Sequence, residues 1–580
     1  MIFYDFEVFE FDWLVVLLNT ADRKFKTIIN NSDELTEFYE QYKNDIWVGF
    51  NNKYYDQYIL KGILLGFNPK KISDFIIIDE QAGYKFSPLF RKIYTIQYDV
   101  MNSLDKGLKV YEGYQGKNIK ESSVPFNINR RLTNSQIQET VKYCRYDVEN
   151  TFYLFCEKIE DFNAHLELVK MASKDRLKLS LLSKTGVQLS SIILDAKKPS
   201  HDYNDEFDLV FPDNLEIKKY KAVVDWYKDS KNRRYKISHE HKKSTKNELK
   251  IMVAGCPHVF GYGGVHGALE KYHGDGFYLM ADVTSLYPSL MLEYDLLSRN
   301  CSKEGKQRYK VIYHERVRLK AEGKEAKQAP LKLVLNGTYG AMKDKYNNLY
   351  DPLMANLVCL YGQLFLLDLI EQLEQKVPGI QLIQSNTDGI LLKMSGYNDY
   401  DLIDDVCYEW EQRTHLKLKF DEFSKVFQKD VNNYLIIGQK VKSKGAYVKK
   451  LDKLDNNLPI LNKALYDYMV NNIPVEITIN NCNDLMMFQQ VDKLSSKYVH
   501  AIHGAEIIKE RVIRSFASLD NNDRGLYKIH ATTGNAEKIS NTSEHCFIFN
   551  DAVDGVVPPA KLDRNYYISM ANKRLNDFIG

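Results

Sequence analysis

Paired cysteines, long apolar runs and an excess of one charge are all missing from this chain of 580 residues. Its eight cysteines, at 144, 156, 256, 301, 359, 407, 482 and 546, include no C-x-x-C pair, which argues against a zinc module and fits thiols kept reduced. No uninterrupted apolar run approaches the length of a membrane span, and no low-complexity tract or internal repeat is evident. The chain opens on a strand carrying Asp5, which leaves no room for a signal peptide and points to a cytoplasmic protein. A formal net charge of +2 means that affinity for a polyanion must come from local patches. One patch, 228–250, sets nine Lys or Arg against three acidic residues and reads equally as a solvated connection. What is present, 44% hydrophobic and 12% aromatic residues, suffices for several cores and so for a multi-domain fold.

The most informative segment is Ala281-Asp282-Val283-Thr284-Ser285-Leu286-Tyr287-Pro288-Ser289. The preceding run from Phe277 to Ala281 has the length and apolarity of a buried strand, and Ser285 with Pro288 suits the opening of a helix. An Asp at that junction faces a site or caps the helix. Later, Lys332-Leu333-Val334-Leu335-Asn336-Gly337-Thr338-Tyr339-Gly340 spaces Lys332, Asn336 and Tyr339 along one face of a predicted helix, which Pro330 limits upstream. A third segment, Ser385-Asn386-Thr387-Asp388-Gly389, lies between two apolar runs and predicts a hairpin with its polar side chains at the tip.

In this order the three segments resemble the polymerase motifs of family B DNA polymerases. Two departures stand out: Gly337 where the family has Ser, and Asn386 where it has the first Asp of Asp-Thr-Asp. The resemblance implies that Asp282 and Asp388 hold two Mg²⁺ ions, which Mn²⁺ can replace, with the Val283 carbonyl as a further ligand. Hard cations of this kind take oxygen donors. It also implies nucleotide contacts by Ser285, Leu286, Tyr287, Lys332, Asn336 and Tyr339. Lys332 would clamp the triphosphate, and Tyr287 under the sugar would exclude a ribose 2′-hydroxyl. Arg316 and Lys320, one turn apart on the preceding helix, have two readings, phosphate contacts or a solvated face.

A second constellation opens the chain. Asp5 and Glu7 alternate on a short apolar strand and so leave its same face; burying both is costly without cations. Asn52 and Asp56 follow, and then Tyr143-x-x-x-Asp147, which on a helix share a face. Together they resemble the motifs of a proofreading 3′-5′ exonuclease, in which Asp5, Glu7, Asp56 and Asp147 would bind two metals and Tyr143 would orient the attacking water. By the same resemblance Asn52, Ser103 and Leu104 would contact the single strand, although the last two also read as an ordinary loop. Tyr262, Gly263 and Gly264 resemble the family's template-touching glycine loop. Thr387 is added to the DNA-binding set as part of the hairpin tip. Alternating Lys440–Lys450 predicts a strand whose Lys444 and Tyr447 would hold the primer end.

The expected architecture is an α/β and α+β multi-domain chain: an RNase H-like exonuclease domain over 1–175, a linker and the start of the palm over 176–255, palm over 256–305, fingers over 306–345, palm over 346–450, and a thumb over 451–580. Asp282 to Lys332 spans 50 residues, room only for a two-helix fingers hairpin, and Asn336 to Asp388 spans 52, mostly filled by a helix-like run from Leu353 to Val377. Protein-primed members carry extra insertions in these intervals, so the chain is expected to extend an ordinary nucleic-acid primer. Lys509, Arg511 and Arg514 are candidate backbone contacts of the thumb. The implied ligands are primer-template DNA and dNTPs. The setting is phage-type replication in the infected cell's cytoplasm, with helicase, primase or single-strand binding protein as partners and no membrane. Two competing readings are a nuclease whose polymerase half survives as a DNA-binding platform and a noncatalytic replication scaffold.

Overall fold

The computed structural model describes residues 1–174, 176–199, 203–233 and 248–580, so most of the basic patch 228–250 lies outside the described residues. The chain is a multi-domain α/β protein with mixed sheets, divided into two compact units. Unit 1 comprises Met1–Leu189, Asp452–Leu458 and Asn483–Asp563; unit 2 comprises Ser190–Leu451, Pro459–Cys482 and Arg564–Gly580.

Unit 1 begins with β1 (Ile2–Val8), β2 (Trp13–Asn19), β3 (Lys24–Ile29), β4 (Ile46–Gly49) and β5 (Ile96–Asp99), ordered 3-2-1-4-5. β1 is antiparallel to β2 and parallel to β4, which is parallel to β5. β2, Trp-Leu-Val-Val-Leu-Leu-Asn, is apolar almost throughout because both of its faces are covered. One face packs with Tyr4, Phe6, Trp47, Ile59 and Leu60. The long helix Asn134–Glu157 starts at a capping box in which Thr133 and Gln136 satisfy each other's backbone N–H groups.

Unit 2 is built on a nine-stranded sheet of β6 (Leu249–Val253), β7 (Cys256–Phe260), β8 (His266–Ala268), β9 (Tyr272–Val283), β10 (Gln381–Asn386), β11 (Gly389–Met394), β12 (Leu418–Asp430), β13 (Asn433–Gly438) and β14 (Val441–Lys444). Their order is 14-13-12-9-11-10-8-7-6. Beside it lie two helices, Lys303–Ala321 and Glu325–Lys343, joined by a short turn. Pro330 sits inside the second helix rather than limiting it: at its sixth residue the proline forfeits a single early backbone bond, which the helix tolerates. The helix Pro352–Lys376 is capped by Asp351 and contains an 18-residue window long and apolar enough on composition to cross a membrane. However, 94% of that apolar window is buried inside the protein, and Gln363, Asp368 and Glu371 interrupt it, so here the helix is a core element.

Residues 451–580, expected as one thumb, divide between the units. The helices Pro459–Asn471, Val475–Asn480 and Arg564–Ile579 belong to unit 2, where Arg564 donates to the carbonyls of Ile479 and Cys482. Between them, β15 (Gln490–Lys493), β16 (Tyr498–His503), β17 (Glu506–Ile508), β18 (Val512–Ala517), β19 (Leu526–His530), β20 (Ala536–Lys538) and β21 (Cys546–Ile548) form two small sheets within unit 1. The physical reason is Arg514. It is fully buried and donates to the carbonyls of Gly113 (3.0 Å), Lys117 (2.8 Å) and Asp551 (2.6 Å), which ties these sheets to the N-terminal part of the unit. Arg514 is therefore no backbone contact for a ligand.

Candidate active sites

In unit 2, Asp282 is the penultimate residue of β9 and the β10–β11 hairpin places Asp388 in its two-residue turn. The two elements are adjacent in the sheet: Asp282 pairs with Gly389, and the Val283 N–H donates to the Asp388 carbonyl at 2.6 Å. Gly389 is required there, since a methyl group on it would lie 1.9 Å from Asp282 Oδ1. Burial and then the Asp282 charge push the Asp388 carboxyl above its ordinary range, while Lys442 and Lys444 pull it back. Tyr434 on β13 lies near both carboxylates; its burial and their charges push its phenol up to about 12.

Lys442 Nζ reaches Asp282 Oδ2 at 3.1 Å although β13 and β12 separate their strands. Register shifts along β12, between Phe423 and Lys425 and between Gln428 and Asp430, bend that strand and curl the sheet. The predicted strand across 440–450 ends at Lys444, because Gly445 takes a φ of 96° where a side chain would strike Asn432 and Asn433. Tyr447 thus falls in a turn, between the Lys429 ammonium (4.6 Å) and the Arg574 guanidinium (4.7 Å).

Ser285 adopts a left-handed φ of 53° and opens the helix Leu286–Glu293. Its hydroxyl accepts from Arg316, which is buried and also donates to Gln328, so the solvated reading fails for Arg316 while Lys320 is exposed. Leu286 packs into the core beside Gly362, leaving only its backbone for a ligand. Tyr287 and Tyr339 meet with ring centroids 4.5 Å apart, which joins the first and second motifs, and Lys332 and Asn336 are exposed on the same helix as Tyr339. The glycine loop meets the third motif: Thr387 N–H donates to the Val265 carbonyl at 2.8 Å, and a methyl group on Gly264 would lie 2.6 Å from Thr387 Oγ1. Gln363 holds the loop by donating to the carbonyls of Gly261 (2.6 Å) and Gly263 (2.9 Å), while Tyr262 packs among Phe207, Trp226 and Tyr227. Asn386 donates to the Val431 carbonyl at 3.3 Å.

In unit 1, Asp5, Glu7, Asp56, Tyr143 and Asp147 line one cavity of about 1060 Å³. Asp56 opens the helix Asp56–Leu64 and accepts from the Phe6 N–H at 3.1 Å, between the two β1 carboxylates. Burial pushes the Asp56 carboxyl up to about 7; Asp5 is raised by burial and then by the Asp56 and Glu7 charges, and Glu7 by burial and then by the Asp147 and Asp56 charges. Burial also raises Asp147, against the pull of Lys109. Two contributors carry no sequence signal. Lys109 bonds Asp147 (2.7 Å) and Glu112 (3.0 Å) and lies 4.6 Å from the centre of the Tyr143 ring. Cys144 Sγ lies 3.6 Å from Asp5 Oδ2. Asn52, expected at the single strand, is instead fully buried and donates to Gln97 at 2.8 Å, holding the loop that carries Asp56. Leu104 is half-buried, and the Ser103 side chain lies outside the described residues.

Both sites have donor sets that fit hard divalent cations. In unit 1 burial and neighbouring charges weaken the acidity of Asp5 and Glu7, and in unit 2 burial and the Asp282 charge weaken that of Asp388, a cost that a cation held beside them would offset.

No sequence-family model matches the chain, and no curated protein matches it. Among solved structures, the family B DNA polymerase from the hyperthermophilic archaeon Pyrobaculum calidifontis is a distant likeness, at 13% identity and a TM-score of 0.43 over 99% of this chain and 77% of that one.

Proposed function

We propose that the chain is a family B type, template-directed DNA polymerase that extends a primer 3′ end with dNTPs and carries a separate 3′-5′ proofreading exonuclease site. The observation that carries this reading is the Asp282–Asp388 pair on hydrogen-bonded neighbours of one sheet, with the Tyr287–Tyr339 contact and the Gly264 loop gathered around it. In this reading unit 2 supplies palm and fingers, and the 3-2-1-4-5 sheet of unit 1 is RNase H-like.

Asp282 and Asp388, with the Val283 carbonyl, would hold two Mg²⁺. Bound there, such ions lower the pKa of the primer hydroxyl and stabilise the leaving pyrophosphate. Lys332 neutralises the incoming triphosphate, Tyr287 closes the floor against a 2′-hydroxyl, and Arg316 fixes the Ser285 turn that aims both. Lys444 and Tyr447, with Lys429 and Arg574 around the ring, grip the primer end. At the second site Asp5, Glu7, Asp56 and Asp147 would hold the ions, Tyr143 orients water, and Lys109 keeps Asp147 in place. The bare two-helix hairpin supports an ordinary nucleic-acid primer, in phage-type replication in the cytoplasm.

A second reading, a nuclease with a DNA-binding platform, draws support from the Lys442 ion pair on Asp282 and from Asn386. A gel of a 5′-labelled primer on a longer template, in Mg²⁺ with and without dNTPs, separates the two. We expect extension that is lost in Asp388→Ala and shortening that is lost in Asp5→Ala. Shortening without extension in the parent would favour the platform.

A further inference from the structure

The nuclease cavity has a wall that its own motifs do not supply. Val491, Asp492 and Lys493 of β15 line it, together with Asp5, Glu7, Asp56 and Asp147. β15 is held in place from behind: it pairs with β18 in a register that sets Val491 against the buried Arg514. Val491 also packs on the helix Leu108–Tyr114, where a methyl group on Gly113 would lie 2.8 Å from Val491 Cγ1. Two residues along a strand, Lys493 shares the face of Val491. Its ammonium lies 3.2 Å from where a methyl group on Gly107 would sit, beside the loop of Leu104.

The charges of the cavity single out this lysine. Lys70 is paired with Asp74, and Lys106 with Asp105. The Lys493 ammonium has no carboxylate or hydrogen-bond partner among the described residues, and the side chain is exposed. Its neighbour Asp492 is engaged by Gln490 Nε2 at 2.8 Å. The same cavity carries exposed apolar side chains, Tyr54, Ile77, Ile78 and Phe126, the last stacked on Phe9 with centroids 5.2 Å apart. An unpaired cation in one cavity with exposed apolar and aromatic side chains is the combination that holds an unstacked single strand, the cation for a phosphate and the apolar surface for bases.

We propose that the β15–β21 module is part of the nuclease, and that Lys493 binds a backbone phosphate of the single strand entering the carboxylate site. This rests on the nuclease reading above. The test compares the parent with Lys493→Ala and Lys493→Glu on a 5′-labelled oligonucleotide over a range of salt, with melting temperatures to verify folding. The expected result is a severalfold rise in KM at unchanged kcat, larger for Lys493→Glu. The slope of log KM against log salt should fall by about 0.7, the share of one single-strand phosphate. Thymidine 5′-p-nitrophenyl phosphate, which has no further phosphate to offer, should be cleaved by both variants as by the parent. An unchanged KM and salt slope in a parent that does shorten strands would overturn the inference alone. If the parent shortens nothing, the nuclease reading falls, and lysine acylation with and without the oligonucleotide, read by mass spectrometry, still decides whether Lys493 is covered by a strand. Unaltered labelling of Lys493 would overturn the contact.

Discussion

Lys442 Nζ sits 3.1 Å from Asp282 Oδ2, in the space where a cation would meet that carboxylate. Both side chains are more than one-third exposed, so the pair is worth about 0.5–1 kcal/mol at most. A divalent ion held by Asp282, as proposed, would compete with this ammonium for one oxygen. Lys442→Ala should lower the Mg²⁺ needed for half-maximal primer extension by about 2- to 5-fold. A titration of extension rate against Mg²⁺ reads this directly; an unchanged requirement would mean that the ammonium does not compete with the ion, and a raised one that Lys442 helps to hold the loaded site.

Gly389 offers a sharper perturbation of the same pair. A methyl group there would meet Asp282 Oδ1 at 1.9 Å, and the only relief is to move the carboxylate or part the strands. Because displacement of a reacting group by about 1 Å costs on the order of 100-fold, Gly389→Ala should reduce extension by at least that factor. Shortening by unit 1, which contains neither residue, should be unaffected. Equal loss of both activities would point to global misfolding instead.

The Asn386 side chain supplies a donor, not a charge. Its Nδ2 donates to the Val431 carbonyl at 3.3 Å and so ties the hairpin tip to the turn between β12 and β13. An aspartate in its place loses the donor and sets a carboxylate against a carbonyl oxygen. Asn386→Asp should cost roughly 1–2 kcal/mol of stability, with no gain in extension rate in Mg²⁺ or Mn²⁺. Faster extension by the variant would show that the missing charge had limited the parent.

How far the sequence could be read depends on the range of the contact. Asp5 with Glu7, the two-residue turn at Asp388 and the helical face of Lys332 and Tyr339 are set by periods of two and 3.6 residues, and these local features are found in the structure. Lys109 lies 38 positions from Asp147, within the unremarkable Leu108–Tyr114 helix, so its role emerges only once that helix is packed against the Asn134–Glu157 helix. An amide near a motif carboxylate suggests a ligand contact at Asn52, whereas in the structure its side chain is fully buried against Gln97, 45 positions away. The division of 451–580 rests on Arg514 reaching carbonyls some 400 positions away, which no local pattern encodes.

The carboxylates of unit 1 predict how pH and metal act on stability. Asp56 titrates in the folded protein at about 7, chiefly because of burial, against an unfolded value near 3.8. Below about pH 4 the group is protonated in both states and contributes nothing. As pH rises the unfolded chain releases the proton first, so the folded state holds more protons and loses stability until pH passes 7, where the penalty levels off. Asp56→Asn keeps an oxygen for the Phe6 N–H and cannot ionise. Its melting temperature in EDTA should match the parent's at pH 4 and exceed it by a margin that grows to pH 7. Mg²⁺ should narrow that margin by binding the parent's ionised cluster and stabilising it through mass action. The measurement is a pair of melting curves at each pH, with EDTA and with Mg²⁺. A margin that shrinks as pH rises in EDTA would mean that Asp56 is ionised and satisfied without a metal, and that its place in the cluster is structural.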